Sequence, residues 1–294
     1  MSEAIVSPTQ HRRALHRTLR KQDGPSLPSA PQALVKLQRT LRDPALTFRK
    51  AAEVVGEDPA LAAIVLRTAA SPLYALSRPP RTLVQAVASI GTEELQRIAI
   101  SQVALQALAS TPESLDLFLK GAYANALVTR AMQRQHEPLL EPGLAWPAGL
   151  LCNIGVLLRL RIAPEEDEII RRHMLSKQVD YAQAERDLGL MSQSTLGAQL
   201  LYAWKLPLAY VDAAFHCGTE RPLTAPGTRE SLALRRVVTA ADSMAVLGTA
   251  RLGMQRRREL QQRVQDLLGY DEDAFVEDMA QVYALLPQVK EMMA

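Results

Sequence analysis

"GLLCNIGVLLRL", residues 149–160, decides how this sequence is read. Leu150, Leu151, Ile154, Leu157 and Leu158 recur at helical spacing and form one apolar face. Cys152 and Asn153 sit where a buried helix would ordinarily carry Leu or Ala. The spacing predicts one core helix over the whole stretch, with two small polar side chains set into it. The question is whether that pair does chemistry or only packs.

The rest of the chain repeats the helical signal. Alternating strand patterns are nearly absent, aromatic residues make up 4%, and Ala and Leu are abundant, as suits closely packed helices. Asp58–Pro59 and Thr111–Pro112 each place a capping side chain before proline at a first helical position. Thr92 precedes Glu93 and Glu94, acids suited to a first turn, and Gly91, Gly189 and Gly248 read as helix ends. Pro138, Pro142 and Pro147 are expected to bracket a loop before the key helix. The fold class expected is therefore all-α.

Four parts are expected. Residues 1–26 form a basic leader around "HRRALHRTLRK", a partly frayed, solvated helix ended at Gly24–Pro25 and dispensable for folding. Residues 27–110 hold about five short helices, residues 111–250 hold longer ones, and residues 251–294 form a helical tail whose "QRRRELQQR" reads as an exposed charged face.

A net charge of +3, from 34 basic and 31 acidic residues, gives no electrostatic case for nucleic acid. Two cysteines cannot make a disulfide framework and fit a reducing compartment. The N-terminus lacks the apolar core of a signal peptide, and no uninterrupted apolar run of about 18 residues occurs, so no membrane span and a cytoplasmic location are expected. No Gly-rich phosphate loop or local nucleophile–His motif is present.

Several pieces, in order, carry a resemblance: "LPSAPQALVKL" from Leu27, "DPALAAIVLRTAASPLY" from Asp58, "RTLVQAVASIGTEELQRIAIS" from Arg81, "AGLLCNIGVLL" from Ala148, "LGAQLLYAWKLPLAYVDAAFHC" from Leu196 and "VVTAADSMA" from Val237. Together they resemble the HDOD domain, a bacterial signalling module related to HD-domain phosphohydrolases, over roughly residues 27–250. The resemblance implies an N-terminal helical subdomain on a degenerate HD-like core, 111–250.

An HD enzyme holds its metal with an early His, an adjacent His–Asp pair and a late Asp, because imidazoles and carboxylates grip a divalent ion while leaving room for water. On this chain the early His position falls at Gly121, the pair becomes Cys152–Asn153, a later His–His step becomes His216–Cys217, and the late Asp remains as Asp242. The resemblance thus implies vestigial metal-site positions, no catalytic residue, no metal and no cofactor. Cys152, Cys217 and His216 could instead make a soft, zinc-like set. Asp242, if buried, needs a partner such as His216 or an Arg. Trp146 and Trp204 read as packing anchors, and Arg159 and Arg161 as residues that could line a pocket.

The function expected is a non-enzymatic regulatory or adaptor module acting by protein–protein contact, through an apolar groove or a helix face. Relatives of the module are fused to receiver or cyclic di-GMP-related domains. With 294 residues there is no room for one, so a signalling partner is expected in trans. Two other classes stay open: a metal-dependent phosphohydrolase or phosphodiesterase with a rearranged ligand set around His216 and Asp242, and a nucleotide sensor using the old cavity. Oligomeric state is open.

Overall fold

The computed structural model describes residues 5–20, 26–30, 32, 35, 39, 40, 43, 45–57, 59–70, 80–108, 111–219 and 225–293. It is all helix. Among the described residues the only β feature is an isolated bridge between Ile5 and Gly227. The chain divides into two compact units, Ala30–Ala107 and a larger one of Met1–Ser29 with Leu108–Ala294.

The smaller unit contains α2 (Phe48–Gly56), α3 (Pro59–Ala70), α4 (Leu83–Ile90) and most of α5 (Thr92–Leu108). Thr47 and Thr82 cap α2 and α4 by accepting from the backbone N–H of Lys50 and Gln85. Ala51, Ala52, Val55, Ala86 and Val87 are fully buried or nearly so, small side chains that let short helices pack closely. Gly91 turns the chain from α4 into α5 at φ 83°, a conformation glycine adopts without a Cβ penalty. Asp58 and the Gly24–Pro25 step lie outside the described residues.

The larger unit is built on α6 (Pro112–His136), which packs along α7 (Pro142–Leu151), α13 (Arg229–Thr249) and α15 (Glu272–Met293). Between these run α8 (Ile154–Ile162), α9 (Pro164–Lys177), α10 (Tyr181–Asp187), α11 (Gln193–Ala203) and α12 (Leu208–His216), with α14 (Met254–Leu268) joining α13 to α15. Trp146 and Trp204 are buried anchors as expected. Trp146 stacks on Tyr123 with ring centroids 6.3 Å apart, and Trp204 Nε1 donates to Pro28 O at 2.8 Å.

Several expectations are corrected. Residues 149–160 are two helices, α7 and α8, broken at Cys152–Asn153. Pro142 opens α7 and Pro147 lies inside it, so only the segment before Pro142 is loop. Gly248 belongs to the last turn of α13. The leader packs: α1 (Pro8–Arg20) buries His11, Leu15 and Leu19, at 1%, 5% and 4% exposure, and Val6 N–H donates to Gly227 O at 3.0 Å. Three side chains at i, i+4, i+8, two leucines and a histidine, make one buried stripe, although the segment counts as basic. The tail's arginines are not all solvated either. Arg256 is buried against Asp180, and Arg263 donates to Thr219 O.

The stretch Gly143–Ile162 is long and apolar enough to cross a membrane, with mean hydropathy 1.4. It is 78% buried inside the protein and split by the α7–α8 break.

Candidate functional site

Two glycines flanking the Cys–Asn pair explain its placement. A Cβ on Gly149 would lie 2.8 Å from Ala126 Cα and 2.9 Å from Asn125 O, so α7 can approach α6 there only as glycine. A Cβ on Gly155 would lie 1.8 Å from Gln193 O, so α8 meets the start of α11 backbone to backbone. These two approaches bring Asn125 of α6 and Gln193 of α11 to the turn. Asn153, at φ −103° and ψ 17°, leaves the helical path between α7 and α8.

The side chains form one continuous polar knot. Asp242 Oδ1 accepts from Asn153 Nδ2 at 2.8 Å and from Asn125 Nδ2 at 3.1 Å. Asn125 Nδ2 also reaches Cys152 Sγ at 2.9 Å, and the Cys152 thiol donates to Gly149 O at 3.1 Å. Asn153 Oδ1 accepts from Gln193 Nε2 at 2.7 Å and faces Cys217 Sγ at 3.7 Å. Cys152 Sγ, Cys217 Sγ and an Asp242 carboxylate oxygen all lie within 4.8 Å of one another. Above them opens a cleft of about 230 Å³, lined by Gly121, Asn125, Asn153, Tyr181, Gln193 and Asp242 among others.

Burial governs the electrostatics. It pushes the Asp242 carboxyl above the usual carboxylate range, opposed by the Asn153 hydrogen bond and the Arg263 charge. Burial likewise pushes the Cys152 and Cys217 thiols up, and the Asp242 charge adds to both shifts. These are neutral, buried thiols rather than poised nucleophiles. Beside the cleft, burial pushes Glu185 up to about 7, although Arg159 Nη2 is 2.8 Å away.

The six positions implied by the resemblance do not all meet. Cys152, Asn153, Cys217 and Asp242 come together, and Gly121 stands exposed at the cleft wall, where a Cβ would meet nothing from neighbouring side chains or helices within 4 Å. His216 lies against Asp212 instead, and of the two partners expected for Asp242, His216 or an Arg, it is an arginine, Arg263, whose charge acts on it. The His216 Nδ1 lies 2.9 Å from Asp212 O and 3.6 Å from Asp212 Oδ1. Asp212 is the centre of a separate buried cluster: Arg235 grips it through Nε and Nη2, and His11 Nε2 of the leader lies 3.3 Å from Oδ1. Burial would raise the Asp212 carboxyl, but the His11 hydrogen bond and the His216 and Arg235 charges outweigh it and hold it low.

Arg159 does not line the cleft. It is buried in ion pairs with Glu166 and Glu185, and Arg161 is exposed. Sequence reading missed Asn125, Gln193 and Arg263. Asn125 lies four residues beyond Gly121, on the same helix face, which was the available signal. Gln193, three residues before the segment beginning at Leu196, and Arg263, at the end of the charged run 255–263, offered none, because nothing in their local pattern marks them as site residues.

The donor set does not fit the hard catalytic ion of an HD enzyme. No His stands at the site, and the pair position holds a thiol and a neutral amide in place of the imidazole and carboxylate that a hard ion needs.

A match to the HDOD domain family spans residues 27–218. Comparison with curated proteins finds no relative. Among solved structures, an HDOD domain protein of unknown function from Geobacter sulfurreducens is 19% identical with TM-score 0.66, covering 96% of this chain and 99% of its own. A protein of Shewanella amazonensis SB2B, provisionally assigned as a phosphohydrolase, is 20% identical with TM-score 0.66, covering 96% and 98%. A protein of Marinobacter aquaeolei VT8, provisionally assigned to signal transduction, is 20% identical with TM-score 0.66, covering 99% and 67%. At these identities the structures establish a shared fold. The chain belongs to the HDOD domain family, which is related to the HD phosphohydrolases and found in signalling proteins.

Proposed function

We propose that this chain is a non-enzymatic signalling module that works by protein contact in the cytoplasm. The observation that carries this reading is the Asn153–Asp242 hydrogen bond, 2.8 Å, at the place where an HD enzyme uses a His–Asp pair and a late Asp to hold its ion. A carboxylate tied to two amides, with no imidazole beside it, lacks the ligands that activate water at a divalent ion.

A surface of suitable chemistry supports the contact role. A groove of about 640 Å³ on α13, α14 and α15 is lined by Met254, Phe275, Val276, Met279 and Tyr283, with Arg257 and Arg258 and no acid in its lining. Met254, Val276 and Tyr283 are exposed. Thioether and aromatic side chains adapt to a helix face, and the arginines favour a partner helix with acids at its edge. The partner is thus expected to be an acidic, amphipathic segment of a signalling protein in trans.

Two measurements test this. Phosphomonoester, phosphodiester and cyclic dinucleotide substrates with added Mn²⁺, Mg²⁺ or Fe²⁺ are expected to show no turnover. Turnover lost in Asp242→Ala would overturn the reading in favour of a hydrolase. Binding of an acidic amphipathic helical peptide is expected to weaken at least tenfold in Val276→Glu, and to be unchanged in the Cys152→Ala/Asn153→Ala pair if the old site plays no part in docking.

A further inference from the structure

We propose that Cys152, Cys217 and Asp242 form a binding site for one thiophilic divalent cation, zinc being the match to two thiols and a carboxylate. The geometry carries the idea. Zinc bonds thiolate sulfur at about 2.3 Å and carboxylate oxygen at about 2.0–2.2 Å in a tetrahedron, so its donors stand roughly 3.5–4 Å apart. The two sulfurs and the carboxylate oxygen here lie within 4.8 Å of one another, drawn from three separate elements: the α7–α8 turn, the end of α12 and the middle of α13.

A second observation points to a missing ligand. Asn125 Oδ1 is buried with no hydrogen-bond partner, in a residue only 1% exposed. The other end of the same amide touches both Cys152 Sγ and Asp242 Oδ1. A half-turn of that amide would put the orphaned oxygen between the thiol and the carboxylate, as a fourth donor. Gln193 Oε1 is a second buried orphan, one hydrogen bond from the site through Asn153. Buried amide oxygens without partners are costly in a folded protein, and a cation is one way to satisfy them.

The chemistry balances simply. Each thiol gives up its S–H proton and bonds the cation through sulfur, so two protons leave for each ion bound. Affinity should therefore rise by up to about a hundredfold per pH unit below the thiol pKa values. The bound state of two thiolates, a carboxylate and a 2+ ion carries one net negative charge. Arg263 is the nearby cation whose charge already acts on both Asp242 and Cys217. His216, which the sequence suggested as a ligand, plays no part because it serves Asp212. The ion differs from the catalytic metal of HD enzymes in its ligands and in having soft donors buried beneath the cleft. The inference does not rest on the partner-binding reading, which survives if this site stays empty.

The test uses the full chain, reduced and stripped with a chelator under anaerobic conditions, then titrated with Co²⁺ and afterwards Zn²⁺. One Co²⁺ per chain is expected, with a near-ultraviolet thiolate-to-cobalt charge-transfer band and intense visible bands of a tetrahedral ion. Zn²⁺ should displace it and protect both thiols from alkylation. Cys152→Ser and Cys217→Ser should each weaken binding by about a hundredfold or more, while His216→Gln leaves it unchanged. Absence of the charge-transfer band in the wild-type chain at saturating Co²⁺ overturns the proposal whether or not the variants fold. So does a Cys152–Cys217 disulfide that, on later addition of a disulfide oxidant such as oxidised glutathione, forms equally fast with and without Zn²⁺.

Discussion

Asn153 Nδ2 donates to Asp242 Oδ1 at 2.8 Å, joining two positions that in an HD enzyme would share a metal. A neutral amide thus occupies the place of an anion, and the carboxylate oxygen accepts hydrogen bonds from two amides, Asn153 and Asn125.

Restoring the acid should therefore hurt rather than help. Asn153→Asp sets a second carboxylate against Asp242 and removes a hydrogen bond to a charged group, a loss of roughly 2–3 kcal/mol. The loss should be larger at pH 8 than at pH 5, where one carboxyl can stay protonated. Chemical denaturation at both pH values checks this, and equal losses would contradict it.

The two site glycines should respond in opposite ways. Gly155→Ala drives a methyl into Gln193 O, a backbone atom 1.8 Å from the new Cβ, and should destabilise by roughly 3 kcal/mol or more. Gly121→Ala meets nothing within 4 Å in the interior of α6 and should stabilise by up to about 1 kcal/mol. Thermal melts of the two variants side by side decide it.

The leader should prove part of the fold. Deleting residues 1–20 uncovers the apolar faces under Leu15 and Leu19 and takes His11 from the buried Asp212. The transition midpoint is expected to fall by several degrees or more, since 1 kcal/mol shifts the midpoint of a domain this size by roughly 2–4 °C. An unchanged melt would mean that α1 is dispensable, as composition alone suggested.

Glu185 should make stability fall as pH rises. Its folded pKa of about 7 stands above the ordinary 4.5, so the folded state holds a proton that the unfolded chain releases between those values. Its contribution is complete below about pH 4.5 and fades as pH rises through 7. Asp212 runs the other way. Its carboxyl is held low, so its contribution is present above the ordinary carboxylate range and is lost as strong acid protonates it. Glu185→Gln should flatten the stability profile between pH 5 and 8 and leave the acid limb intact. A slope unchanged in that variant would assign the effect to another group.

The sequence by itself determined that the chain is helical, that it is an HDOD protein and that the pair at 152–153 no longer reads His–Asp. These are properties of local spacing and of residue type, which survive without knowing the fold. It also placed Trp146 and Trp204 in the interior, because large apolar side chains are buried wherever the chain can manage it.

The tertiary structure alone decided which polar groups share a site. Asn125 is 117 residues from Asp242 and meets it only because α6 packs along α13. Cys217 and His216 are neighbours in sequence, yet the helix end turns one to Cys152 and Asp242 and the other to Asp212. The same holds for α1, whose three buried side chains look like scattered exceptions in a basic segment until a partner surface covers them. Periodicity reports which face of a helix is apolar. What that face and its polar interruptions pack against is fixed by contacts between distant segments, and those depend on helix approach distances that no single segment encodes.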